Sequence, residues 1–161
     1  MVYFTADMHF GHRAIINMQN RPFEFVEEMD RILLQNFNSV VRQNDTVYIL
    51  GDICHHMKVE DADNLIRKMN GKKYLIVGNH DKKYDPRLFE DIKDFIKISV
   101  DGCNLALMHY PMLSWPKKNS GGYQLHHYPG GHTSIDVMSE NILYKHLPLT
   151  DVIEHVVSTH K

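Results

Sequence analysis

Asp7-Met8-His9, Gly51-Asp52, Gly78-Asn79-His80-Asp81 and His109 are the residues of this sequence best suited to chemistry. Each group stands directly behind a short apolar run, VYFTA, TVYIL, YLIV and LALM in that order. Carboxylates, an amide and imidazoles all offer lone pairs to a cation. A buried carboxylate without a partner is costly, so carboxylates and imidazoles gathered in one place ordinarily share a metal ion. The donors are oxygen and imidazole nitrogen with no thiolate, which suits manganese, iron, zinc or magnesium in a working site rather than a structural zinc. Asp7 and His9 are two residues apart, a spacing that puts both side chains on one face of a regular strand. Gly51 and Gly78 remove side-chain bulk, letting the backbone pass close to ions and substrate. Twelve histidines in 161 residues, scattered rather than in a tag, add to the case for chemistry.

Positioning these groups requires strands that end together. Val2 to Ala6, Thr46 to Leu50 and Lys73 to Val77 read as strands from their β-branched and aromatic content. Between them, apolar residues at 25, 26, 29, 32, 33, 37 and 40 follow the helical period. Ala62, Leu65, Ile66 and Met69 give a second helical stripe, stopped by Asn70-Gly71. A short helix is expected near Pro86 to Ile92, then strands at 95–100 and 104–108 joined by the hairpin signal DGCN. Ser134 to Val137 reads as a further strand and Val152 to Val157 as a closing helix or strand, with the Gly-rich 119–131 as the loosest segment. Strand–helix–strand alternation predicts α/β with a mixed sheet core. In such sheets ligands bind beyond the carboxyl ends of the strands, so four polar strand ends describe one cluster.

The remaining composition narrows the function classes. The length fits one domain over 1–161, with 43% hydrophobic and 24% charged residues, ordinary for a globular chain. A net charge of −2 gives no global attraction to nucleic acid or anionic lipid. No apolar stretch is long enough to span a bilayer, and the N-terminus lacks the basic region and cleavage site of a signal peptide. Cys54 and Cys103, without CxxC spacing, read as reduced thiols, and the expected location is cytoplasmic.

Taken together, ADMHFGH, LGDIC, VGNHD and LMHYP resemble the first four blocks of the calcineurin-like metallophosphoesterase superfamily, which run DxH, GD, GNH[DE] and His. The wording around MHYPMLSWPKK is similar to its small bacterial and phage members. The resemblance spans nearly the whole chain. It implies a four-layer αββα sandwich with mixed β-sheets and a binuclear metal centre at one edge. By the same resemblance Asp7 and His9 would bind the first metal, Asp52 would bridge, and Asn79 and His109 would bind the second. His80 would be no ligand but the group that protonates the leaving oxygen or stabilises the transition state. Asp81 would orient its surroundings or cap a helix.

The family's fifth block, GHxH, is altered. The corresponding segment is LHHYPGGHTSIDV, with Gly131-His132 present but Ser134 where a second histidine belongs. His127 together with His132 is the expected replacement, with His126 as the neighbouring candidate; the other reading is a loop that supplies one ligand or none. His12 and Arg13 are read as facing the substrate, with N-capping or a surface position as the plain alternative. His55 and His56 read as peripheral to the pocket or exposed. Lys72-Lys73, Lys82-Lys83 and Lys117-Lys118 read as solvated pairs, and Tyr110 and Trp115 as core packing.

The function expected is hydrolysis of phosphate mono- or diesters. Two divalent ions ~3.5–4 Å apart would hold a bridging hydroxide, with His80 as general acid. Manganese comes first among the metals, with iron, zinc, magnesium or nickel as alternatives. The expected partner is a small phosphorylated substrate, ahead of nucleic acid because no basic stripe is visible. A membrane is not expected, and no oligomeric state is assigned. The rival is a non-catalytic protein of the same fold, a scaffold or binding module with an incomplete metal site.

Overall fold

The computed structural model describes residues 1–127. Seven strands and three α-helices follow in the order β1 (Val2–Thr5), α1 (Arg13–Met18), α2 (Val26–Val40), β2 (Thr46–Ile49), α3 (Val59–Arg67), β3 (Lys72–Ile76), β4 (Asp91–Lys93), β5 (Phe95–Val100), β6 (Cys103–Met108) and β7 (Tyr123–Leu125). The first four strands form one parallel sheet in the order β1-β2-β3-β4. The last three form a mixed sheet, β5-β6-β7, with β5 antiparallel and β7 parallel to β6. Val47, Leu75 and Ile76 of the first sheet and Leu105, Leu107 and Leu125 of the second belong to one buried apolar cluster. This α/β arrangement of parallel and mixed sheets is consistent with a calcineurin-like metallophosphoesterase fold.

Local sequence explains most elements. In α2 the buried Met29, Leu33 and Phe37 recur every four residues, and Glu27 and Glu28 in the first turn suit the positive end of the helix dipole. The register of the parallel sheet is marked by a row of rings. Phe4 pairs with Tyr48 and Tyr48 with Tyr74, and their rings stack at 5.5 and 4.9 Å across three strands. The DGCN hairpin forms as expected: Asp101 and Gly102, at φ 49 and 81, make the two-residue turn between Val100 and its partner Cys103.

Three expectations change. The helix expected near Pro86 to Ile92 is only a 3-10 turn at Pro86–Leu88, because Ile92 pairs with Leu75 on the sheet edge and tertiary pairing outweighs the helical spacing. Lys73 is not solvated: it is 9% exposed, and its Nζ donates to the carbonyls of Met69 and Gly71 in the turn that follows α3. The Gly-rich segment contains β7, which reads as loop in sequence because three residues are too few to show alternation. The segments at Ser134–Val137 and Val152–Val157 lie outside the described residues, as does His132. Both cysteines are free, and among the described residues no helix is long and apolar enough to cross a membrane.

Helix α2 is also tied to the first motif, since both carboxylate oxygens of Asp30 accept the Gly11 N–H at 3.0 Å. Burial raises the Asp30 carboxyl to about 6 from 3.8, so the folded protein holds a proton there that the unfolded chain has released. The contribution is favourable below about pH 4 and is lost as pH rises through 6. Asp30→Asn should therefore gain stability relative to the native chain between pH 4.5 and 7. Urea midpoints of both proteins at the two pH values measure it, and parallel shifts would contradict it.

Candidate metal centre

The strand ends converge, but not as a regular strand would deliver them. β1 stops at Thr5, and Asp7, His9 and Asp52 all take left-handed backbone conformations, at φ 52, 53 and 56. Asp7 and His9 thus reach the same place through two sharp bends rather than through strand alternation. Non-glycine residues rarely adopt this conformation, at a cost on the order of 1 kcal/mol each. The surrounding hydrogen bonds hold it. The N–H groups of Asp7, His9 and Phe10 donate to the carbonyls of Gly51, Asp52 and Ile53 at 3.0, 3.0 and 2.9 Å, so the two motif loops run side by side past the end of the sheet. Arg21, 6% exposed, donates Nη1 to the Met8 carbonyl and Nη2 to the Asp7 carbonyl, both at 2.9 Å. Burial lowers this guanidinium only to about 10, so it stays charged at neutral pH.

Asp81 does the corresponding work between β2 and β3. Its Oδ2 accepts the N–H groups of Asp52 and Gly78 at 2.9 and 2.8 Å. Its Oδ1 accepts the Ile53 N–H at 2.9 Å and the Tyr84 hydroxyl at 3.0 Å. It is an orienting residue and not a helix cap. Burial, opposed by these four bonds, leaves its carboxyl somewhat above the usual carboxylate range. The glycines serve the same junction. A Cβ on Gly51 would stand 2.5 Å from His109 Nδ1, and one on Gly78 would overlap the Asp52 carboxylate. Their bareness lets the loops approach one another and their own ligand side chains.

The side chains then meet. Asp7, His9 and Asp52 each place a ligand atom within 4.8 Å of the others. His9 Nε2 lies 3.7 Å from Asp7 Oδ1 and 3.8 Å from Asp52 Oδ2. His109, at the end of β6 in the second sheet rather than beside the other three strands, lies 3.8 Å from the same Asp52 oxygen. Its Nδ1 is 2.7 Å from the Leu50 carbonyl and so must donate, which leaves a lone pair on Nε2. That lone pair faces Asn79 Oδ1 at 3.1 Å and Asp52 Oδ2. With neutral imidazole, acceptors face acceptors, and a cation would resolve the conflict. The donor chemistry fits a divalent ion.

His127 comes to the same place from β7. Its N–H donates to the His109 carbonyl at 2.9 Å, its ring stacks on that of His109 at 4.1 Å, and its Nδ1 is 3.3 Å from Asp7 Oδ1. Burial pushes the Asp7 carboxyl up, but His127 and His9 outweigh it and hold it below the usual range. The Asp7 carboxylate in turn raises His127 against the opposing effect of burial. His126 is engaged elsewhere, with Nδ1 at 2.6 Å from the His127 carbonyl.

His80 borders this cluster. Its N–H donates to Asp52 Oδ1 at 2.9 Å, and its half-buried ring lies 5.7 Å from that of His9 and 4.0 Å from that of His55. His12 and Arg13 are placed differently: His12 is 8% exposed with Nδ1 at 3.1 Å from His55 Nδ1, whereas Arg13 is exposed in the first turn of α1. Burial first, then the neighbouring imidazoles, lowers His12 to about 4. His55, read as peripheral, packs between His12, His56 and His80.

The sequence model described as calcineurin-like phosphoesterase matches residues 1–160. The chain belongs to the calcineurin-like phosphoesterase family. Among its relatives, an uncharacterized protein of Methanocaldococcus jannaschii is 36% identical over 95% of this chain and 89% of its own. The Gene 66 protein of Mycobacterium phage L5 is 41% identical over 49% of this chain and 39% of its own, and that of phage D29 is 28% identical over 82% and 77%. A crystal structure of a protein of unknown function from Aquifex aeolicus is similar with a TM-score of 0.58 and 32% identity, covering 69% of this chain and 61% of that one.

Within this calcineurin-like phosphoesterase, Arg21 and the His12–His55 contact escaped the sequence reading. Arg21 stands in an ordinary loop, NRPF, and only its burial reveals that it holds the first motif. Histidine number was the one signal for the imidazole group. Asp81→Asn keeps acceptor oxygen on one side and sets an NH2 against backbone N–H on the other. It should cost about 1–3 kcal/mol in urea unfolding and weaken metal retention in dialysis. Arg21→Lys, which keeps the charge but not the planar fork, should show the same two losses in smaller measure.

Proposed function

We propose that the protein is a metal-dependent phosphoesterase that hydrolyses phosphate mono- or diesters at two divalent cations. The observation that carries this is the place of Asp52, whose Oδ2 is 3.8 Å from His9 Nε2 and 3.8 Å from His109 Nε2. A carboxylate equidistant from two ligand groups is suited to bridging. Asp7 and His9 would hold one cation with His127, Asn79 and His109 the other. His132 remains a candidate for the altered fifth block. Acidification of a water and neutralisation of the phosphoryl oxygens are the chemistry that bound cations supply. Manganese is the first choice of metal, a small phosphorylated molecule the substrate, and the cytoplasm the location; Arg13, exposed near the cluster in sequence, would meet substrate oxygens.

The chain's own groups do the rest. Asp81 and Arg21 fix the loops so that the ligands need not reorganise on binding. The His80 backbone N–H orients the bridging carboxylate, and its imidazole stands at the half-buried margin, where a leaving oxygen would emerge. There it would donate a proton, a contribution of roughly 10²–10⁴ in rate. The rival reading, a non-catalytic protein with an incomplete centre, rests on Ser134. The arrival of His127 beside Asp7 weighs against it, since a ligand is supplied from within the altered segment.

His80→Ala should depress turnover of a phosphodiester such as bis-p-nitrophenyl phosphate by roughly 10²–10⁴ while metal content stays unchanged. Asp52→Asn should lose both the manganese of the carboxylate centre and activity. Elemental analysis beside the hydrolysis assay reads both, and metal loss in the His80 variant would remove it from the acid role.

A further inference from the structure

A second convergence of ligand atoms borders the carboxylate centre. His9, His12 and His55 each place one ring nitrogen within 4.8 Å of those of the other two. His9 and His12 are buried, and His55 is half-buried. The Nδ1 atoms of His12 and His55 face each other at 3.1 Å. His9 Nε2 faces Asp7 and Asp52 while its Nδ1 is buried without a hydrogen-bond partner, so serving an ion on each side would take the imidazolate, its remaining ring proton released to solvent as the second ion binds. The rings of His56 and His80 close the group, at 3.9 and 4.0 Å from that of His55.

No carboxylate belongs to this trio, which distinguishes it chemically from its neighbour. Two nitrogens bound to one ion at ~2.0–2.1 Å lie ~2.8–3.4 Å apart for angles between square and tetrahedral, which brackets the His12–His55 separation. A plain hydrogen bond between the two rings also fits that distance. It explains neither the unpartnered His9 Nδ1 nor the crowding of imidazoles around it. Neutral imidazole suits zinc, cobalt, nickel and copper, whereas manganese and magnesium prefer oxygen. We propose that His9, His12 and His55 form a further, nitrogen-only cation site that takes a late transition ion and leaves manganese to the carboxylate centre.

Cobalt is the probe, because nitrogen-bound cobalt absorbs visibly and elemental analysis counts it. The wild-type chain, His55→Ala and Asp52→Asn are each saturated with Co²⁺ alone or Mn²⁺ alone, then desalted. His55 is half-buried, so its truncation spares the core; His12→Ala is the second variant. The expected result is that His55→Ala and His12→Ala retain about one Co²⁺ per chain fewer than the wild type but the same Mn²⁺. Asp52→Asn should keep about one Co²⁺ and lose its Mn²⁺. Equal cobalt in wild type and His55→Ala overturns the site. So does loss of manganese from the His55 and His12 variants, which would assign both residues to the carboxylate centre. Failure of the phosphoesterase reading shows separately, as a wild-type chain that holds no manganese.

Discussion

The Asp81 carboxylate is the constraint on which the rest of the site depends. Three backbone N–H groups at the ends of two parallel strands would be left without acceptors where the chain leaves the sheet, and one side chain receives all three together with the Tyr84 hydroxyl. Leaving such donors unsatisfied costs about 1–3 kcal/mol apiece. By gathering them, Asp81 draws the Asp52 loop and the Asn79 loop to the closeness that demands glycine at both 51 and 78. The bridging candidate is held by its main chain, and its carboxylate is left for other work.

The first motif is held by a different device of the same kind. Its two ligand residues sit in unfavourable backbone conformations, and a buried guanidinium takes up the carbonyls those bends expose. Local strain of this sort persists only when the surroundings over-determine it. Here they do: Arg21 binds the carbonyl side of the loop, the parallel backbone of 51–53 binds its N–H side, and Asp30 fixes Gly11 beyond it. The ligand atoms are therefore placed before any ion arrives.

Much of this was legible in the sequence, and the limits have physical causes. The motifs are contiguous and punctuated by glycine, so Asp7, His9, Asp52, Asn79, His80 and His109 could be read as one cluster, and long periodic α2 could be bounded to within a residue. Contacts between distant parts of the chain could not. Ile92 looks helical until Leu75 is beside it, and Lys73 looks like one of a solvated pair although its Nζ turns back locally to the carbonyls of Met69 and Gly71. The spacing of Asp7 and His9 implies strand alternation, whereas two left-handed residues bring the side chains together. Sequence placed four strand ends side by side, whereas His109 is delivered from the second sheet.

That delivery ties the site to the order in which the chain is made. Asp7 and His127 are 120 residues apart and meet only because β7 docks parallel to β6. Contacts of such long range form late, after the entropy of closing the intervening loop has been met. A nascent chain thus exposes its first carboxylate and imidazoles well before the strands that enclose them exist. The cluster is closed by the second sheet, so an ion held in its final geometry would report the folding of nearly the whole described chain.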